Sequence, residues 1–164
     1  MKLHATARLG ATCVAAALLV APGPVWAQSE AQTAGGEPLE FTHVLDDKPL
    51  DVYTPREGET FTGAVEEFHV TADNPYSGDA EAVAEGEEIF EKTCRGCHGI
   101  GGGGGMGPAL SDDTVRRERA ATHKGMFEII YGGAAGAMQP FGKRLDQDEI
   151  LRVMAYIETL GNAE

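Results

Sequence analysis

Cysteine, tryptophan and, over the first half, positive charge are the scarce things in this chain. Its 164 residues hold three cysteines and one tryptophan. Cys13 and Trp26 both fall in an N-terminal segment where Lys2 and Arg8 precede an apolar stretch, Leu9 to Val20. Pro22 and Pro24 break that stretch, and Val25-Trp26-Ala27 follows. This order of basic, apolar and small residues predicts an export signal over 1–27, cleaved after Ala27. The apolar run is shorter than the roughly 20 residues that span a bilayer, so no stable membrane insertion is expected. A mature chain starting at Gln28 keeps only Cys94 and Cys97. Two cysteines exclude a disulfide framework, and export places the protein in the periplasm.

Basic residues are nearly absent before residue 92. Gln28 to Glu91 carries 17 acidic and 2 basic residues, whereas Lys92 to Glu164 carries 9 of each. A block of negative charge argues against nucleic acid and against an anionic membrane surface. It favours docking to a basic face on a partner.

Large apolar residues are few from Gln28 to Glu37, which reads as a loose tail. Two brief apolar runs, Phe41 to Leu45 and Leu50 to Tyr53, flank Asp46-Asp47-Lys48-Pro49 and predict a weak hairpin. Phe61, Val65 and Phe68 recur at helical spacing, and the pattern halts at Asn74-Pro75. Residues 28–78 therefore read as an acidic, largely irregular extension that wraps another core instead of forming one. Beyond it, helical signals sharpen. Asp79 caps a predicted helix through Glu91, with Ala82, Val83, Gly86, Ile89 and Phe90 on one face. A second helix is predicted over about Lys124 to Tyr131. The last starts at Asp146, with Glu149 completing a capping box and Leu145 stapling to Ile150. Ile150, Val153, Met154, Ile157 and Leu160 form its apolar stripe, and Gly161 stops it. No internal repeat is present.

Glycine, by contrast, is plentiful, and it crowds one place: "CRGCHGIGGGGGMGP", residues 94–108. Cys94-Arg95-Gly96-Cys97-His98 is the Cys-x-x-Cys-His pattern of covalent c-type haem attachment. Two thiols about one helical turn apart reach the two vinyl groups on one edge of a porphyrin, and the next residue turns its imidazole onto the iron. A structural zinc site wants four ligands, commonly from two such pairs, and the mature chain has no second pair. A thioredoxin-like pair wants a βαβ setting, which is missing. The glycines suit a flat macrocycle, because bare backbone permits close approach and positive φ. An iron-bound histidine donates its other ring nitrogen to a backbone carbonyl or carboxylate, and the Pro108 carbonyl is the expected acceptor.

An electron carrier needs a sixth ligand. The choices are Met106, Met126, Met138, Met154 and His123. Met106 is only eight residues past His98, while Met126 and Met154 lie on helical faces where methionine usually fills core. Met138, in the open loop "GGAAGAMQPFG", is the preferred ligand, with His123 and Met106 as alternatives. Thioether ligation raises the reduction potential and closes the iron to other ligands. His43 and His69 are read as surface or packed residues.

Asp79 to Leu160 resembles a class I c-type cytochrome: a helix with Gly86 and Phe90, the haem motif, Gly-Pro-Ala-Leu at 107–110, a methionine loop and a final helix containing Ala155-Tyr156. The resemblance implies a mostly α fold of three to four helices around one covalent haem, over residues 79–164. It also implies that the first and last helices cross at Gly86 with Phe90 and Tyr156 nearby. "KGMFEIIYGGAAGAM", "LDQDEILRVMAYI" and the extension's "PLDV" and "NPY" are similar to cytochrome cL-type electron acceptors of quinoprotein, PQQ-dependent methanol dehydrogenases. The implied function is single-electron transfer, without enzymatic chemistry, from such a periplasmic dehydrogenase to a second c-type cytochrome or oxidase. A monomer with one haem c is expected, and the residues assign no calcium. Two other readings stay open: a haem enzyme or gas sensor whose distal site Met138 does not close, and a tethered subunit of another dehydrogenase.

Overall fold

Short polar side chains set the helix starts. The computed structural model describes residues 38–111 and 118–161; the expected export signal, its cleavage after Ala27 and the Gln28–Glu37 tail lie outside them. Helix α1, Gly63–Thr71, begins at Thr62, whose hydroxyl accepts from the Val65 amide at 3.3 Å. It ends before Asn74-Pro75, because Ala72 takes a left-handed conformation (φ 59°) and bonds back to the Phe68 carbonyl. Asn74 instead turns inward and donates to the Leu151 carbonyl at 2.9 Å.

Helix α2, Ala80–Thr93, is capped by the Asp79 carboxylate on the Ala82 amide at 2.8 Å. A single turn, α3, covers Arg95–His98. A 3₁₀ turn over Glu118–Ala121 leads to α4, His123–Gly132, capped by Thr122. Helix α5, Gln147–Leu160, carries the predicted capping box: the Glu149 amide donates to Asp146 at 2.8 Å, and the Asp146 amide to Glu149 at 2.9 Å. Leu145 and Ile150 are both buried, as a staple requires. Gly161 follows α5 but keeps a right-handed backbone (φ −79°), so the helix ends without the left-handed cap that glycine usually supplies.

The stripe on α5 fills the core. Ile150, Leu151, Val153 and Met154 are fully buried and share one cluster with Phe90 of α2 and Phe127 of α4. α2 crosses α5 at Gly86, where a β-carbon would collide with the Arg152 carbonyl oxygen and lie 3.1 Å from Tyr156 Cβ.

The segment ahead of α2 enters the same core. Phe41, Leu50, Val52, Val65 and Phe68 belong to that cluster, and the Phe41 and Phe68 rings lie 5.6 and 4.8 Å from the Phe127 ring. Burial of side chains this size contributes about 1.5–3 kcal/mol each. The predicted hairpin shrinks to one antiparallel bridge, Thr42–Pro49, the only β-pairing among the described residues. Its turn places Asp47 at φ 54°.

Three polar groups, Gln147 and Glu128 buried and Asp148 half-buried, tie the segment down. Gln147, fully buried, donates to the Val52 carbonyl at 2.7 Å, and its side-chain oxygen meets His69 Nε2 at 2.8 Å. Asp148 accepts from Thr62, Tyr76 and Arg152, each at 2.7 Å. Glu128 accepts from Lys124 at 2.6 Å, the Thr42 amide at 2.8 Å and Arg119 at 2.9 Å. Among the described residues no buried side-chain nitrogen or oxygen lacks a partner, as the desolvation cost of such a group demands.

Candidate haem site

The end of α2 delivers the motif. The Cys94 amide closes α2 on the Phe90 carbonyl at 2.8 Å, and the Cys94 carbonyl then accepts from the amides of Cys97 (3.1 Å) and His98 (2.9 Å). One turn of backbone thus presents two thiols and an imidazole together. Both thiols are free. Cys94 is partly buried, and burial pushes its thiol up to about 11, so at neutral pH it is a thiol and not a thiolate. Among the described residues no group of three His, Cys, Asp or Glu gathers around a point. Cys94, Cys97 and His98 therefore suit three separate attachment points on one flat ligand better than a shared tetrahedral ion.

The glycine-rich loop folds back onto this turn. The Gly104 amide donates to the His98 carbonyl at 2.7 Å and the Gly107 amide to the Cys97 carbonyl at 2.8 Å. Two positions are closed or tight for a side chain. Gly99 has φ 77°, and a β-carbon there would strike the Gly104 carbonyl oxygen; one on Gly107 would lie 3.0 Å from His98 Cε1. His98 Nδ1 lies 3.0 Å from the Pro108 carbonyl oxygen. A carbonyl only accepts, so Nδ1 carries the proton and Nε2 offers its lone pair to a metal.

The loop between α4 and α5 holds Met138. Its neck is closed by the Phe141 amide on the Ile130 carbonyl and the Gly142 amide on the Tyr131 carbonyl, both at 3.0 Å. Within it the Ala134 amide donates to the Met138 carbonyl at 3.1 Å, and the Met138 side chain, half-buried, packs on the core. The other ligand choices are otherwise engaged. Met154 is fully buried and Met126 nearly so, whereas Met106 is 75% exposed. His123 Nδ1 accepts from the Asn74 amide at 3.0 Å, which puts its proton on Nε2, 3.4 Å from Glu158. His69 is buried between Tyr53 and Phe61, with ring centroids 4.8 and 5.1 Å away, and burial pushes its pKa down. Phe90 and Tyr156 stand together at the helix crossing, centroids 5.3 Å apart.

Residues that sequence alone does not single out brace this arrangement: Tyr131, Glu128, Gln147 and Asp148. Each works through a partner 70 or more residues away in at least one bond. No local pattern announces such pairs.

A family model described as cytochrome c oxidase, cbb3-type, subunit III matches residues 81–157. Cytochrome c-L of Methylorubrum extorquens is 36% identical over 155 residues, 94% of this chain and 75% of that protein. The solved structure of cytochrome cL from the marine methylotroph Methylophaga aminisulfidivorans superposes with a TM-score of 0.70 at 42% identity, covering 74% of this chain and 80% of the other. Cytochrome cL from Hyphomicrobium denitrificans gives 0.68 at 37%, covering 74% and 73%.

An all-helical core, helices crossing at a glycine and a Cys-x-x-Cys-His turn at the end of the first of them define a class I c-type cytochrome, an electron-transfer protein and not an enzyme. This chain belongs to the cytochrome c-L family, and its function is to carry electrons in methanol oxidation.

Proposed function

We propose that one haem c is bound through thioethers to Cys94 and Cys97, with His98 and Met138 as axial ligands of its iron, in a protein exported to the periplasm and cleaved after Ala27. The observation that carries the reading is the His98–Pro108 hydrogen bond at 3.0 Å. It fixes the tautomer, orients the ring and frees Nε2, which is what an iron-bound histidine needs from its surroundings. Met138 is favoured because the other methionines are core-buried or solvent-exposed and His123 has both nitrogens occupied.

When bound, the haem supplies a one-electron iron couple. The protein's residues do the rest. The Cys94–His98 turn would hold the ring edge, the glycines of loop 99–108 would let backbone approach it closely, and Met138 would exclude small exogenous ligands. Electrons are accepted from a methanol dehydrogenase and passed to a second c-type cytochrome or oxidase. Helix α2 shows solvent the carboxylates of Glu81, Glu87 and Glu88, a negative face suited to steering a basic partner. Rapid mixing of the oxidised holoprotein with purified methanol dehydrogenase and methanol tests this. Fast haem reduction that slows between low and high salt is the expected result. Reduction no faster than with the dehydrogenase's substrate alone would remove the dehydrogenase as donor.

No helix among the described residues is long and apolar enough to cross a membrane.

A further inference from the structure

The segment ahead of α1 lies against the neck of the methionine loop. Tyr131, in the last turn of α4, sits at the loop's neck: its own carbonyl receives the Gly142 amide, and its ring occupies the space where a Gly142 β-carbon would be, 2.7 Å from Cδ2. The ring stacks on the buried Phe127 ring (centroids 5.4 Å, planes 17° apart). Its hydroxyl leaves α4 altogether and donates to the Asp51 carbonyl at 2.9 Å. Beside it, the two Leu50 methyls and His43 Nδ1 stand 3.2 and 3.0 Å from where a Gly132 β-carbon would be. Gly132, the last residue of α4 before the loop, is thus covered by His43 and Leu50. Gly133 has φ 78°, and a β-carbon there would press on the Pro140 nitrogen and the Met138 carbonyl.

We propose that Tyr131 is a positioning residue for Met138, and that the segment 41–53 acts through it to keep the methionine loop closed. The proposal rests on the assignment of Met138 as an iron ligand. A loop stapled at both ends has one resting geometry, so the thioether is pre-placed. Releasing one staple lets the neck open and Met138 swing away more often. The fraction of time the loop is open sets how fast an added ligand can reach the iron.

The test uses the holoprotein, wild type against Tyr131→Phe, which keeps the ring stacked and removes only the hydroxyl's bond to Asp51. Tyr53→Phe is the control: its hydroxyl belongs to the same segment but donates to the carbonyls of Leu39 at 2.6 Å and His69 at 3.4 Å, not to the neck. Two quantities are read: the rate at which carbon monoxide binds the reduced protein, and hydrogen exchange at the Phe141 and Gly142 amides. One neutral hydrogen bond corresponds to about a fivefold change in an opening equilibrium. Tyr131→Phe should therefore raise both rates about fivefold while Tyr53→Phe leaves them at wild-type values. A Tyr131→Phe protein as slow as wild type in both, or a Tyr53→Phe protein as fast as Tyr131→Phe, would overturn the proposal. A wild-type holoprotein that binds carbon monoxide at once would instead remove Met138 from the iron. The exchange rates would then still show whether Tyr131 closes the loop.

Discussion

Replacing Gly86 by alanine should damage this protein even though alanine is the better helix former. A β-carbon on residue 86 would sit 2.7 Å from the Arg152 carbonyl carbon and 3.1 Å from Tyr156 Cβ, and closer still to the Arg152 oxygen. Non-bonded carbons rest about 3.5–4.0 Å apart, so the helices must separate locally by about 1 Å. The Arg152 carbonyl cannot yield. It belongs to α5, whose residues Ile150, Leu151, Val153 and Met154 are locked in the core. α2 has to move, and it carries Phe90 and Cys94. Overpacking costs about 1–3 kcal/mol, and contact with backbone points to the upper end. The gain in helix propensity offsets about 1 kcal/mol. The net loss is about 2 kcal/mol, which in a domain of this size lowers the melting temperature by about 6–10 °C. Circular dichroism melts of wild-type and Gly86→Ala holoprotein at one pH measure it. An equal or higher melting temperature would refute a close crossing at Gly86, because propensity would then be the larger effect.

Glu128→Ala removes a carboxylate that is 2% exposed and bonded to Arg119, Lys124 and Thr42; because both cations are about a third exposed and can rehydrate, the loss should be about 3 kcal/mol, read as a lower urea midpoint. Acid should unfold the protein in two stages. Burial holds His69 below its ordinary 6.5, so the unfolded chain takes that proton first and stability falls as pH drops below about 6.5. Glu128 and Asp148 are held below 4.5 and 3.8 by the cations and hydroxyls around them, against the opposing effect of burial, so their contribution is present above those values and lost at lower pH. Denaturant midpoints between pH 8 and 3 will show both stages, and His69→Gln should flatten the first; a first stage unchanged in His69→Gln would assign it elsewhere. Met138→His should lower the reduction potential by about a hundred millivolts or more, within the wide span that axial ligands command; an unchanged midpoint in redox titration would exclude Met138.

The helices were legible because their signals are local. Asp79 and the Asp146–Glu149 pair lie within three residues of the amides they cap, and the α5 stripe repeats at helical spacing; α2, α4 and α5 accordingly stand within two residues of where the sequence puts them. Cys94, Cys97 and His98 lie within five consecutive positions, so the motif needed no fold to be read. What stayed hidden depends on distant partners. Phe41 and Phe68 look like a wrap's own apolar residues until Phe127 is found packed against both of them. The end of α1 was misjudged because Ala72, a residue seldom left-handed, makes the turn. Tyr131 reads as one more apolar position on α4; only its bond to Asp51, 80 residues away, shows that it faces the segment ahead of α1.

The account depends most on a haem joined covalently at Cys94 and Cys97, and intact mass of the purified mature holoprotein tests it directly. Protein made in a host that matures c-type cytochromes should weigh as a chain beginning at Gln28 plus one haem, with neither cysteine open to alkylation after denaturation. A chain mass without haem and with two alkylated thiols would contradict it.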